Sequence, residues 1–203
     1  MLFEEEDITA CLDKACDIRE LYELYVLHGK TYPKSVDDLL WICQEYLKKQ
    51  ILIEYVDLPA EGSSIHASYW AMAEGSYRIG VLLGLSEDQL RFVLCKELFH
   101  VIFDEARRRS LALSEHVEEY TSTFQLDDGQ PNCAAAWETL AEIAALEFLF
   151  PYEYRRAAAQ GDGAVNYARL ATMYGLPRYF VEVGCGEGNL DYIGKRIRAA
   201  AHC

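Results

Sequence analysis

Positive charge is scarce in this chain: 19 lysines and arginines stand against 33 aspartates and glutamates, a formal net charge of −14. A field of that sign repels phosphate backbones. The densest basic runs are Arg107-Arg108-Arg109, Arg155-Arg156 and Lys195-Arg196 with Arg198. They fall where helices are expected to end, and cations there meet the helix dipole. Direct nucleic-acid binding is therefore disfavoured. Also missing is any uncharged apolar run of the roughly 18 to 20 residues that a membrane span needs, because Lys96, Glu97, Glu138 and Glu142 interrupt the most apolar segments. The opening MLFEEEDITA is acidic and lacks the basic region and apolar stretch of a secretory signal. Cys-x-x-Cys pairs are absent too, although there are seven cysteines. An odd, scattered set suits reduced thiols in a cytosol. The expectation is a cytoplasmic protein that acts on neither membrane nor nucleic acid.

What is there is a chain of 203 residues, 51% of them apolar, enough for one good core. Apolar positions at Ile8, Leu12, Ala15, Ile18, Leu21, Leu24 and Tyr25 recur at three and four and predict a helix over 7–28. Gly29 and Pro33 break it, and Ser35 opens a second helix with acids in its first turn and lysines in its last. From Ile51 the period shortens: ILIEYVDLP reads as a strand, and SYWAMAEGSYRIGVLL as two strands about a Glu74-Gly75 turn. Ser86 caps a central helix, with Glu87 and Asp88 in its first turn. Residues 110–131 have no consistent period and read as a connection or lid. NCAAAWETLAEIAALEFLF then reads as a largely buried helix ending at Pro151. Two helices follow, joined by Gly175-Leu176-Pro177. The expected class is α+β, mainly helical with a small sheet of about three strands. Residues 1–50 are expected to pack, as helices, on a domain spanning 51–203, the whole forming one unit.

The chemistry points to the central helix, RFVLCKELFHVIFD. His-Glu-x-x-His on a helix puts two imidazoles one turn apart with a glutamate general base beside them, the arrangement of zinc peptidases. Here Glu97 and His100 keep their offsets, but Lys96 stands where the first histidine belongs. Cys95 points about 100° away from Lys96 on a helix and reads as packed rather than ligating. His28, at a helix end, and His66 and His116, in connections, receive no role. Glu138 and Glu142 interrupt the buried helix, and two readings stand for them: buried carboxylates in need of a partner, or one solvated stripe.

In this order the segments resemble the ImmA/IrrE family of zinc peptidases, found beside phage and stress-response repressors. That family has Arg-Phe-x-x-x-His-Glu-x-x-His after a strand pair, where this chain has Arg91-Phe92-Val93-Leu94-Cys95-Lys96-Glu97-Leu98-Phe99-His100. Its second helix, Glu-x-x-Ala-Asn/Asp-x-x-Ala-x-x-Leu-Leu-x-Pro, is similar to Glu138-Thr139-Leu140-Ala141-Glu142, then Ala145 and Phe148-Leu149-Phe150-Pro151. Its later Gly-Val-Pro turn resembles Gly175-Leu176-Pro177. The likeness spans about residues 33–195. It implies a zincin-like fold with the sheet packed on the active-site helix. By the same likeness, His100 and Glu138 are metal ligands, Glu97 is the base that takes a proton from bound water, and Glu142 is the carboxylate that orients a ligand histidine. Asp104, one turn after His100, is expected either to add an oxygen ligand or to accept a hydrogen bond from His100.

Lys96 decides how far those implications hold. Lysine ligates only as a neutral amine, and bringing its pKa from near 10.4 to about 7 costs roughly 4 to 5 kcal/mol before any metal bond forms. Kept charged, its ammonium instead neutralises Glu97, Glu138 or Glu142 where the metal's charge would be. The expectation is an impaired metal site without a cofactor, in a pseudoenzyme that binds a protein or peptide partner, a transcriptional regulator being the kind the resemblance suggests. The alternative is an active, zinc-dependent endopeptidase, a hydrolase using His100, Glu138 and Glu97.

Overall fold

Ser86 and Ser35 mark the two best-defined helix starts. The Ser86 side chain accepts from the Gln89 backbone while Gln89 reaches back to the Ser86 N–H. Ser35 accepts from the Asp38 N–H at 3.2 Å. Each pairing satisfies helix N–H groups that have no partner inside the helix. A computed structural model describes residues 5–57, 66–104, 133–161 and 163–200. Among these, α1 is Glu5–Tyr25, α2 Val36–Glu45, β1 Ile51–Val56, β2 Ala67–Ala71, β3 Tyr77–Leu82 and α3 Glu87–Phe103. After them come α4 Cys133–Leu149, α5 Tyr152–Ala159, α6 Tyr167–Tyr174, α7 Arg178–Cys185 and α8 Glu187–Ala200. The class is α+β, mainly helical with a three-stranded mixed sheet. α2 ends before the lysines expected in its last turn, and Lys48 has φ 53, a left-handed conformation that leaves the helix. The connection read at 110–131, with His116 and Arg107-Arg108-Arg109, lies outside the described residues.

The strand order is β1-β3-β2, with β1 parallel and β2 antiparallel to the central β3. Gly75, at φ 89, donates to the Met72 carbonyl at 2.9 Å and turns β2 into β3. Period-two alternation turns Tyr77, Ile79 and Val81 into the core and leaves Arg78 outside. α3 packs against β2 and β3 on one side and α4 on the other, so the central helix is clamped between sheet and helix. α1 packs on α4, and the Cys11 thiol donates to the Leu140 carbonyl at 3.1 Å. Lys34, just before α2, is buried beneath the rings of Tyr22 and Tyr32, its ammonium donating to the Gly29 carbonyl at 2.6 Å.

The Gly175 turn is tied to the start of the central helix. Arg91 donates to the Gly175 carbonyl at 2.9 Å, and Phe92 stacks on Phe180 with ring centroids 3.7 Å apart. Gly175 sits at φ 59, and a Cβ there would lie 1.8 Å from the Arg91 guanidinium. Gly175→Ala is therefore expected to cost about 2 kcal/mol, roughly half from the left-handed backbone and half from the displaced arginine bond. Urea unfolding of the variant measures it, and a change below about 0.5 kcal/mol, the level of an ordinary surface substitution, would remove the argument.

Candidate active site

Lys96 and His100 are four residues apart on α3 and share one face. Glu97, next to Lys96, is 1% exposed, and His100 is 4% exposed. α4 brings Glu138 across to them. The Lys96 ammonium lies 2.6 Å from Glu138 Oε2 and 3.2 Å from Glu97 Oε1. His100 Nε2 lies 3.2 Å from Glu138 Oε1, off the line of a good hydrogen bond. Glu138 thus spends one oxygen on the lysine and the other on the histidine.

The electrostatics follow that geometry. Burial favours the neutral amine at Lys96, but Glu97 and Glu138 outweigh it and raise its pKa above the ordinary lysine value. For Glu138, burial works upward, while His100 and Lys96 bring the carboxyl down to about 2. Lys96 is therefore an ammonium and Glu138 a carboxylate over the neutral pH range.

The remaining positions fall unevenly around this centre. Glu138 and Glu142 both lie on the exposed side of α4, so the solvated stripe is what the helix presents, yet Glu138 also reaches inward. Glu138, and not Glu142, holds the lysine. The Glu142 carboxyl is raised, by burial first; Lys96 pulls it down and Glu138 pushes it up. Asp104 caps the end of α3, its N–H donating to the His100 carbonyl at 3.0 Å and its own carbonyl accepting from Lys49 at 3.1 Å. Cys95 is fully buried, and burial holds its thiol far above the usual range. His66 is exposed beside the first residue of β2.

Tyr69 is the residue that the sequence reading passed over. From β2 its ring stacks on His100, centroids 5.0 Å apart at 12°. Its hydroxyl is pushed up to about 12, by burial first and then by the charges of Asp104, Glu97 and Glu138. Strand alternation puts Tyr69 on the face of β2 shared with Ala67 and Ala71. No motif marks it, because the contact depends on how the sheet meets α3.

The donor set can be tested against a zinc ion. A catalytic zinc takes about three protein ligands and keeps one open position. His100 and Glu138 are two, and among the described residues no group of three His, Cys, Asp or Glu side chains is arranged to hold a metal ion. A charged Lys96 stands between the carboxylates that would face the cation. The described residues therefore do not fit zinc.

A family model for the IrrE N-terminal-like domain, Peptidase_M78, matches residues 48–185, about two thirds of the chain. The chain belongs to the IrrE N-terminal-like peptidase family. The family match spans β1 through α7 and so includes every residue of the cluster just described. Among solved structures, a Mycobacterium tuberculosis transcriptional regulator is similar at 18% identity and a TM-score of 0.49, over 87% of this chain and 49% of that one. The chain thus spans about half the length of that regulator. No curated protein matches. No described helix is long and apolar enough to cross a membrane.

Charge pairing at Lys96 has a measurable consequence. Lys96→Met leaves the buried Glu97 carboxylate without its cation, and since Lys96 is 16% exposed the cost should be about 2 to 3 kcal/mol, below the value for full burial. Lys96→Met with Glu97→Gln should cost clearly less than the sum of the two single changes. Because the folded pKa of Glu138 is depressed to about 2, its contribution is present above the unfolded carboxylate pKa and is lost as pH falls from about 4 toward 2. Wild type should lose more stability over that acid window than Lys96→Met. Additive single changes in urea unfolding would show that the lysine carries no charge-replacing role.

Proposed function

We propose that this chain is a peptidase-fold protein whose centre works without metal, and that it acts by holding a peptide or protein segment rather than cutting it. The observation that carries this reading is the Lys96 ammonium paired with both Glu97 and Glu138. Glu97, the residue the family likeness casts as general base, is engaged by a cation of the chain itself. Glu138, cast as a ligand, is divided between Lys96 and His100. A histidine and a shared carboxylate are a weak set for zinc.

The test is elemental analysis of protein purified without a metal-binding tag and dialysed against a mild chelator. The expected result is well under one zinc per chain, with added zinc moving the melting temperature by less than about 1 °C, since a ligand stabilises only the state that binds it. Stoichiometric zinc retained through dialysis would overturn the reading and favour the metal-dependent endopeptidase built on His100, Glu138 and Glu97.

A further inference from the structure

An aromatic surface stands exposed where α1 ends and α2 runs past it. Tyr25 is 46%, Trp41 44% and Tyr46 38% exposed. Tyr46 joins them, its ring centroid 4.1 Å from that of Tyr25 and 5.8 Å from that of Trp41. The chain neighbours of Tyr25 add to the apolar area, Leu24 at 71% and Leu27 at 85% exposed. Large side chains of this kind are normally spread singly over a surface, and a joined set rimmed by polar groups marks an interaction site. All five precede residue 48, where the family match begins, and none belongs to the cluster around Lys96.

The rim is acidic. On α2, Asp37 and Asp38 lie one turn before Trp41 and Glu45 one turn after it. On α1, Glu20 lies one turn before Leu24. The cations nearby in the chain are Lys48, within 3.8 Å of Glu45, and the exposed Lys30 at the Leu27 end, so the excess of acid lies on the α2 side of the rim. Most of this surface is carried by two helices, so a partner has to bring side chains.

We propose that this surface docks the basic and leucine-bearing face of an amphipathic helix from a partner protein. Trp and Tyr are the side chains that anchor interfaces, and an indole face attracts Lys and Arg. The acidic rim selects a cationic partner. A second copy of the chain would set this rim against itself, and the net charge of −14 likewise repels an anionic membrane.

The experiment titrates the full chain, at about 0.15 M salt, where the screening length is near 8 Å, with a synthetic Leu–Lys amphipathic helix and with its Leu–Glu counterpart. The Leu–Lys helix is expected to bind at about micromolar Kd and the Leu–Glu helix not to bind. Tyr25→Ser with Trp41→Ser should weaken binding about tenfold or more, with an unchanged far-ultraviolet spectrum. Leu52→Ser with Trp70→Ser, which alters exposed apolar residues of the sheet, should leave binding intact. Lys96→His should also leave it intact, so the result stands apart from the reading of the peptidase centre. Equal weakening by the sheet variant would overturn the proposal, as would a wild-type dimer, seen by light scattering, that Trp41→Ser dissociates.

Discussion

Replacing Lys96 by histidine is expected to give the protein a much tighter zinc site than the wild type. The change removes the ammonium and supplies an imidazole one helical turn before His100. Glu138 already lies within 3.2 Å of His100, so the three donors of a His-His-Glu set would be gathered with little backbone movement. The substitution also frees Glu97 from its ion pair. Zinc titration by calorimetry should show one site per chain, with affinity raised by about a hundredfold or more over the wild type, since a full ligand is gained where second-sphere changes alone are worth about 10 to 100. The melting temperature of the variant should rise on zinc addition, in proportion to the binding. A variant that gains no site would show that Glu138 cannot leave Lys96 for a metal, and that α3 and α4 are set at the wrong spacing for one.

The largest loss of stability is expected well away from that centre, at Arg155. Arg155 and Glu147 are each 2% exposed and form an ion pair. Glu147 also accepts from the Tyr152 N–H at 3.0 Å, and Arg19 stands off at 3.8 Å. Burial pushes the Glu147 carboxyl up, with Arg155 and the Tyr152 bond pulling it back. Arg155→Met leaves that carboxylate buried with only the distant Arg19 for charge, and should cost about 3 to 5 kcal/mol. Arg155→Met with Glu147→Leu should recover much of it, because a buried pair is far cheaper to replace than to break. The deficit of the single variant should also shrink as pH falls, when the orphaned carboxyl takes up a proton. Urea unfolding at neutral and mildly acid pH measures both effects. A loss below about 1 kcal/mol, the size of an exposed ion pair, would mean that Arg19 moves in to replace Arg155.

These two sites show what a sequence makes readable. Ser35, Ser86, Gly75 and Gly175-Leu176-Pro177 act within one turn or cap, and local patterns place them well. The family likeness reached Lys96, Glu97, His100 and Glu138, since residues four apart on α3 share a face and the apolar run of α4 makes its glutamates conspicuous. Side-chain aim was less legible. Glu142 and Glu138 sit one turn apart, and only the angle between α3 and α4 decides that the second meets the lysine. Arg155 read as a solvated helix end beside Arg156, yet the fold turns it inward, and Arg196, from another basic run, is buried as well. Glu147, the partner of Arg155, drew no notice within an apolar helix. Tyr69 escaped for the same reason: its neighbour His100 is brought to it by the packing of a sheet on a helix.

The mixed sheet has a bearing on the order in which the chain assembles. β2 and β3 pair across a turn of a few residues, whereas Ile51 of β1 pairs with Tyr77, roughly 25 residues away. Closing the shorter loop costs less chain entropy, and the parallel pair has no tight turn to pin it. The hairpin is thus expected to pair before β1 is laid on it, and α3 leaves directly from its second strand. Tyr69 and His100 both belong to the segment from β2 to α3, so their stacking needs only local chain closure, while Glu138 has to be brought in from α4. Of the two carboxylates beside Lys96, Glu97 is its neighbour in sequence and Glu138 is 42 residues away, so the second half of its charge compensation is expected to form late in folding.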